Sequence, residues 1–183
     1  EKILHSFFLS VTARTAGFNM WPTEELSVTV TIILILLMWI GAAPMSTAGG
    51  IKVTTFFVAF LNIKKHLRNC EQINFMGKEI ATEIVAKSFT IIALSLLLIF
   101  TGTVVIIYNE PNLPPLGILF EVVSAISTVG LSKGITADLT DSSKIVLVVL
   151  MFTGRVGILA VFMSFFKSRE NVRYRLLKED INI

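Results

Sequence analysis

The segment from Phe89 to Tyr108 carries no charged side chain. At a rise of about 1.5 Å per residue, a helix of this length crosses the ~30 Å hydrocarbon core of a bilayer. The chain is 54% hydrophobic and only 16% charged, whereas soluble domains average about 25% charged residues. We therefore predict an all-α integral membrane protein. The net charge of +3 is too small to indicate a nucleic-acid partner.

A second apolar region is interrupted near its middle. The residues from Leu26 to Ile40 are uncharged, but as a helix they span only about 22 Å, which is too short to cross a membrane. Small and flexible residues follow at 41–50, and an apolar helix is predicted again from Ile51 to Ile63. Non-helical backbone at membrane depth is found only where protein buries it or where it lines a wet cavity. We therefore expect a broken helix with its break inside the protein.

The last apolar region, from Lys144 to Phe166, is predicted to be a single span with Arg155 in its middle. A charged side chain at membrane depth is costly and usually functional, so we expect Arg155 to face a pore. The alternative is an ion pair with a carboxylate between helices, but we find no central Asp or Glu in the predicted spans. Two other cations have two interpretations each. Lys52 could snorkel to the interface, or face water or the carbonyls of the break. Arg14 could be a surface charge, or could brace the neighbouring loop by donating hydrogen bonds to its carbonyls.

Residues 124–131, Ser-Ala-Ile-Ser-Thr-Val-Gly-Leu, follow an apolar segment at 116–123 that is too short to span a bilayer. A half-length helix that leads into Thr-Val-Gly is typical of a re-entrant pore loop, whose backbone carbonyls replace the water around a cation. Gly130 can take the dihedral angles that aim successive carbonyls one way, and Thr128 adds a hydroxyl oxygen. The motif alone is weak, because it is frequent by chance.

A second copy of the motif strengthens this prediction. The four residues that begin at Thr15 align with the four that begin at Thr128, at an offset of 113 residues. Phe7 falls on Phe120 at the same offset, so the apolar lead-in is shared. Such a repeat favours a pore built from helix–loop–helix units within one chain. The predicted ion-binding residues are Thr15, Ala16, Gly17, Phe18, Thr128, Val129, Gly130 and Leu131.

The charged segments indicate the orientation in the membrane. The basic cluster at 64–68 marks the cytoplasmic side by the positive-inside rule. The turn at 109–115 is poor in basic residues, as expected outside, and the tail at 167–183 is basic again. With both loops outside and both basic segments inside, the topology closes without contradiction.

Four motifs, in this order, resemble the Trk/Ktr/HKT superfamily of potassium transporters, and specifically its bacterial TrkH/KtrB-type membrane subunit. Thr12 to Asn19 looks like the third repeat's selectivity filter, and Ser127 to Ser132 looks like the fourth. Gly41 to Lys52 resembles the intramembrane gate loop of the third repeat. Gly154 to Gly157 resembles the fourth inner helix with its pore-facing arginine. The gate residues that the resemblance implies are Gly41, Pro44, Ser46, Thr47, Gly49, Gly50, Lys52 and Arg155.

The resemblance implies repeated helix–pore-loop–helix units, of which this chain holds the last two of four. A pore needs four loops, so the chain alone is not expected to conduct, and its start resembles a cut through a longer protein. The resemblance divides the chain into four parts. They are a third-repeat pore helix, filter loop and broken inner helix at 1–69, a cytoplasmic linker with the start of the next helix at 70–88, a fourth repeat at 89–168, and a cytoplasmic tail at 169–183.

The implied function is channel-like uptake of potassium through a carbonyl-lined filter, gated by the intramembrane loop and by Arg155. Potassium is the transported ion, no organic cofactor is expected in this chain, and the protein is not expected to be an enzyme. The expected location is a bacterial inner (plasma) membrane, which the protein crosses several times in contact with lipid. The expected partners are a second complete subunit in a homodimer and a cytoplasmic nucleotide-binding regulatory ring of the TrkA/KtrA type.

Three alternatives remain open. A pore-loop cation channel of another family has similar loops, but the repeat within one chain and the broken helix count against it. The sequence does not distinguish a sodium-conducting member of the same superfamily from a potassium-conducting one, because two of the four filter loops lie outside it. A polytopic membrane enzyme would need His, Asp or Glu side chains that converge at membrane depth, and His5 and His66 lie apart from any such set.

Overall fold

The computed structural model describes residues 2–19, 22–44, 46, 48–68, 74–75 and 78–165. The described chain is mostly helical. The predicted gate residue Thr47 and the predicted tail at 169–183 lie outside the described residues. The helices are α1 (Lys2–Thr12), α2 (Val28–Trp39), α3 (Val53–Leu67), α4 (Thr82–Asn109), α5 (Pro115–Ile126), α6 (Asp141–Val156) and α7 (Ile158–Phe165). The short strands are β1 (Ile40–Ala42), β2 (Ile51–Lys52), β3 (Asn74–Phe75) and β4 (Lys78–Glu79), and 3-10 turns lie at Thr23–Glu25 and Ile135–Ala137.

Helix α5 lies at the centre of the described structure. It begins with Pro115, whose missing N–H and fixed φ suit the first turn of a helix. All its residues from Phe120 to Ile126 are buried, and it packs against α2, α4 and α6. Its 12 residues give a length of about 18 Å, which is too short to cross a bilayer. A half-length apolar helix was the prediction for residues 116–123, and the structure confirms it.

Helix α4 has 28 residues, and the predicted span from Phe89 to Tyr108 is confirmed as one continuous helix. Within the described part of the chain, α4 is the helix that is long and apolar enough to cross a membrane by itself. It approaches α6 at Gly102, where an added Cβ atom would lie 2.8 Å from Cδ1 of Leu150. The missing side chain therefore lets the two helices pack closely.

The last apolar region differs from the prediction of one continuous span at 144–166. Helix α6 ends at Val156, and α7 begins at Ile158 with its axis bent by 100°. Gly157 between them has a φ of +104°, which a right-handed helix does not accommodate. The region is therefore two helices with a sharp bend between them and not one straight helix, and Arg155 lies in the last turn of α6.

The predicted break after α2 is confirmed. Helix α2 ends at Trp39, and α3 begins at Val53. Between them β1 and β2 pair in parallel, with Ile40 opposite Ile51. The segment at 43–50 connects the end of β1 to the start of β2, and we call it the break loop.

Large apolar side chains cover the outer faces of several helices. Ile3 of α1 is 87% exposed and Phe152 of α6 is 65% exposed. A water-soluble protein rarely exposes contiguous apolar surface of this kind, whereas a protein in lipid presents it outward. The outer surface therefore agrees with a membrane protein.

Glu110 joins the turn after α4 to the start of α6. Its carboxylate accepts hydrogen bonds from the backbone N–H of Thr140 at 2.7 Å and from the Ser143 hydroxyl at 3.2 Å. The hydroxyl and backbone N–H of Thr140, the Ser143 hydroxyl and the charge of Lys144 hold the pKa of Glu110 below its ordinary value. The ionised carboxylate therefore stabilises the N-terminal turn of α6.

Replacing Glu110 with Gln is expected to lower the unfolding temperature of the detergent-purified protein at pH 7. A carboxyl whose folded pKa is depressed adds stability above its unfolded pKa, near 4.5, and loses it as the pH falls through the folded value. The difference between wild type and Glu110→Gln should therefore shrink in acid. Heating followed by size-exclusion chromatography measures the unfolding temperature at each pH.

Glu83→Gln is the control, because Glu83 is an exposed carboxylate in the first turn of α4. It should lower the unfolding temperature less than Glu110→Gln does, because Glu83 lies within one helix, whereas Glu110 joins the turn after α4 to the start of α6. A difference between wild type and Glu110→Gln that stays constant from neutral to acid pH would contradict the proposed role of the ionised carboxylate.

Candidate functional site

The two predicted filter loops share an unusual backbone. We call residues 15–18 the first loop and residues 128–131 the second loop. Thr15 and Gly17 have φ values of +65° and +70°. Thr128 and Gly130 have values of +53° and +86°. The positions with positive φ therefore recur at the 113-residue offset of the sequence repeat.

The two threonines are the non-glycine residues with positive φ in the described part of the chain. A β-branched residue is strained in this region, and the surroundings must enforce it. Ala16 and Val129, which separate the strained positions, do not have positive φ. Positive and negative φ therefore alternate along each loop, which lets successive carbonyls face one side. A row of such carbonyls can replace the hydration shell of a cation.

Thr12, which is buried at the end of α1, holds the first loop. Its carbonyl accepts hydrogen bonds from the N–H groups of Ala16 and Gly17, both at 3.2 Å. Its hydroxyl donates to the carbonyl of Phe18 at 2.7 Å. One buried residue thus holds the middle and the far end of the loop, which explains how the strain at Thr15 is maintained.

The buried end of α5 holds the second loop. The N–H of Thr128 donates to the carbonyl of Ala125 at 3.1 Å, and the N–H of Val129 donates to the carbonyl of Ser124 at 3.0 Å. Both acceptors belong to buried residues. The last turn of the helix therefore dictates the conformation of the loop.

The fold brings the two loops into direct contact. A Cβ atom added to Gly17 would lie 2.3 Å from the carbonyl oxygen of Val129, so no other residue fits there without a shift. A Cβ atom added to Gly130 would lie 4.0 Å from the Cα atom of Gly17, which is ordinary contact. Two segments more than a hundred residues apart in the sequence therefore meet backbone to backbone.

The break loop lies against the second loop. The N–H of Gly49 donates to Oγ1 of Thr128 at 2.9 Å, and a Cβ atom on Gly49 would lie 2.8 Å from the carbonyl oxygen of Ile126. Gly50 has a φ of +75°, and a Cβ atom there would lie 2.9 Å from Oγ of Ser127. The two glycines are therefore required for this contact.

The remaining predicted gate residues are spread around this contact. Gly41 lies in β1, where an added Cβ atom would be 4.0 Å from Cδ of Arg14. Pro44 and Ser46 are exposed. Lys52 is half-buried at the start of α3. Of the described gate residues between Gly41 and Lys52, Gly49 and Gly50 are the ones that the structure brings to the second loop.

Arg155 lines a cavity of about 480 Å³ beside the second loop. Thr128 and Gly130 line the same cavity, and so does Glu121 of α5. The structure therefore brings Arg155 near the second loop, although it lies at a helix end and not at mid-helix.

Gly154 allows α6 to cross the end of α5. A Cβ atom there would lie 1.9 Å from the carbonyl oxygen of Ile126, so the two backbones touch. Sequence reasoning noted Gly154 as a neighbour of Arg155 but missed this contact. Glu121 was missed altogether, although a single acid within the apolar residues of α5 was a visible signal.

Comparison with known families matches residues 1–174 to TrkH, described as a cation transport protein. The chain belongs to the TrkH family. Its relatives include the Ktr system potassium uptake protein B of Bacillus subtilis (strain 168), which is 38% identical over 175 residues, covering 95% of this chain and 39% of that protein. The potassium/sodium uptake protein NtpJ of Enterococcus hirae is 34% identical over 186 residues, covering 99% of this chain and 41% of that protein.

The fold also matches a solved member of the family. The crystal structure of the potassium transporter TrkH from Vibrio parahaemolyticus matches with a TM-score of 0.71 at 20% identity, covering 85% of this chain and 35% of that one. The chain spans about two fifths of the length of the curated relatives named above. The family and these relatives are membrane transporters of cations and not enzymes, which confirms the resemblance noted from the sequence.

Gly154→Ala is expected to destabilise the protein by about 1–3 kcal/mol, the usual cost of overpacking a core. The added methyl group meets a backbone oxygen that cannot rotate away, so α6 must move from α5. Thermal unfolding of detergent-purified protein measures the loss. Gly102→Ala is the matched control, because its methyl group meets the flexible side chain of Leu150. A loss in Gly102→Ala as large as that in Gly154→Ala would contradict the explanation.

Proposed function

We propose that the complete protein takes up potassium ions across a bacterial inner membrane, and that this chain supplies two of its four filter loops. The observation that carries the proposal is the matching backbone of the two loops. Both place a threonine and a glycine at positive φ with one residue between them, and the loops touch. Relatives that share most of this chain are named as potassium uptake proteins.

In this proposal the carbonyls of the two loops, at residues 15–18 and 128–131, coordinate a dehydrated potassium ion. A filter works only if its carbonyls are already in place, because ordering them at the moment of binding would cost conformational entropy. The hydrogen bonds from the buried ends of α1 and α5 supply that order. Two further loops, from repeats outside this chain, would complete the ring.

We propose that the break loop obstructs the pathway on the cytoplasmic side of the filter and moves during activation. Its support is the hydrogen bond from Gly49 to Thr128 and the small residues that permit close contact. Arg155 adds a second barrier in this proposal. A fixed positive charge beside the pathway repels a passing cation, and the repulsion is stronger in a low-dielectric site than in water.

The expected assembly is a homodimer of complete subunits in lipid with a cytoplasmic nucleotide-binding regulatory ring. Sodium conduction is the second candidate function, because the Enterococcus hirae relative is named as a potassium/sodium uptake protein. Uptake of rubidium, as a potassium tracer, in competition with sodium separates the two in proteoliposomes that contain the complete protein.

Gly17→Ala and Gly130→Ala are expected to impair the filter to different degrees. Both place a side chain at positive φ, which costs about 1–3 kcal/mol of strain. Gly17→Ala also forces a methyl group to within 2.3 Å of the Val129 carbonyl oxygen, whereas the site at Gly130 has room. Gly17→Ala should abolish rubidium uptake, and Gly130→Ala should retain uptake with reduced preference for potassium over sodium.

Gly157→Ala is the control for strain alone. Gly157 also has positive φ and open space around it, but it lies outside both loops. It should leave the potassium preference unchanged. Normal selectivity in both filter variants would refute the assignment of the filter.

Deleting residues 43–49 in the complete protein is expected to raise the potassium flux and to weaken its dependence on the regulatory ring. Because β1 and β2 pair in parallel, the shortened connection must still return from the end of β1 to the start of β2, so size-exclusion chromatography first checks that the deletion variant folds. Flux into proteoliposomes, with and without the ring, is the measurement. An unchanged flux in a folded deletion variant would show that the break loop is not an obstruction.

A further inference from the structure

Glu121 is a buried carboxylate that has no role in the proposed pathway as described above. It is the one charged residue in α5, and its side chain is 6% exposed. A buried charge is costly unless hydrogen bonds compensate for its lost hydration. Its Oε1 accepts a hydrogen bond from the Ser132 hydroxyl and another from the backbone N–H of Lys133 at 3.1 Å. Both partners come directly after the second loop.

The segment that Glu121 binds is also tied to the other half of the structure. The Thr23 hydroxyl donates to the carbonyl of Ser132, and Nζ of Lys133 donates to Oγ1 of Thr31 at 3.1 Å. Thr23 and Thr31 follow the first loop in sequence and are both buried. Ser132 and Lys133 are therefore held from α5 on one side and from the region of the first loop on the other.

Within this network Ser132 has a second use. Its hydroxyl accepts the N–H of Gly134 and lies 2.9 Å from Oγ1 of Thr136. The turn that leads away from the second loop therefore folds around the same hydroxyl that Glu121 binds. Without the carboxylate, Ser132, Lys133 and this turn would be held only from the region of the first loop.

The two repeats differ at this point. At the 113-residue offset, Glu121 corresponds to Phe8, and Ser132 corresponds to Asn19. The first loop is closed by the hydroxyl of Thr12 on the carbonyl of Phe18. In the second repeat, the residue that aligns with Thr12 is Ala125, which has no hydroxyl to make such a bond. The far end of the second loop needs another support, and Glu121 supplies it.

We propose that Glu121 is a positioning residue for the filter, and that its hydrogen bonds to Ser132 and Lys133 set the geometry of the second loop and with it the preference for potassium over sodium. This inference rests on the proposed filter function. Selectivity depends on how well the carbonyls of a filter replace the hydration shell of each cation. Loss of an anchor at the end of the loop should therefore change selectivity more than it changes the flux.

Glu121 lines the same cavity as Arg155, so a direct effect of its negative charge on passing cations must be distinguished from positioning. Gln retains an oxygen that accepts both hydrogen bonds but carries no charge, whereas Leu removes both acceptors. Positioning therefore predicts a nearly normal Glu121→Gln variant and a defective Glu121→Leu variant. An electrostatic role predicts that both variants are defective.

The experiment measures rubidium uptake in competition with sodium, in proteoliposomes that contain the complete transporter. Glu121→Leu and Ser132→Ala should each lower the potassium preference several-fold, and Glu121→Gln should stay close to wild type. The variant that combines Glu121→Leu and Ser132→Ala should have the same potassium preference as Glu121→Leu alone, because both changes break one network. Glu83→Gln, an exposed carboxylate change, is the control for purification and reconstitution. Ser132→Ala carries the test if Glu121→Leu does not fold.

Gly130→Ala in the same assay separates this inference from the proposed function. If Gly130→Ala changes selectivity and Glu121→Leu and Ser132→Ala do not, the positioning role is wrong and the filter stands. If none of them changes it, the filter assignment fails as well. A Glu121→Gln variant as unselective as Glu121→Leu, or a lower flux at unchanged selectivity, would also overturn the positioning role.

Discussion

Contact between bare backbones at the end of α5 holds the site together. The carbonyl oxygen of Ile126 faces Gly154 of α6 and Gly49 of the break loop, and the carbonyl oxygen of Val129 faces Gly17 of the first loop. At each place an added Cβ atom would lie within 2.8 Å of that oxygen. Three separate segments thus converge on four consecutive residues, and each does so only because it lacks a side chain. Such contacts do not tolerate an added side chain, because neither backbone can rotate away.

The sequence predicted the separate segments of this site better than the contacts between them. Local composition was enough to predict the break after α2 and both loops, since small residues interrupt an apolar pattern or end a short one. The bend at Gly157 was missed because isolated glycines within an apolar helix are common and usually harmless. The convergence of Gly17, Gly49 and Gly154 on residues 126–129 is non-local, and no pattern within one segment encodes which carbonyl a glycine faces.

The two repeats show which features a shared backbone requires and which it leaves free. Both loops keep a threonine and a glycine at positive φ, because the chain path itself needs those conformations. The side chains that enforce the path differ: Thr12 closes the first loop, and Glu121 anchors the segment after the second. A sequence repeat therefore reveals a loop more readily than its support, which explains why Glu121 escaped prediction.

In the proposed pathway, the hydrogen bond between the break loop and the second loop links gating to ion binding. Oγ1 of Thr128 accepts the N–H of Gly49, so the positive end of that N–H dipole lies beside the hydroxyl oxygen. A cation that approached the same oxygen would meet this dipole and would compete with it for the lone pairs. Withdrawal of the break loop would thus remove an obstruction and free an oxygen ligand in the same movement. An ion bound at Thr128 would in turn disfavour return of the loop, because the ion repels the positive end of the N–H dipole and uses the same lone pairs.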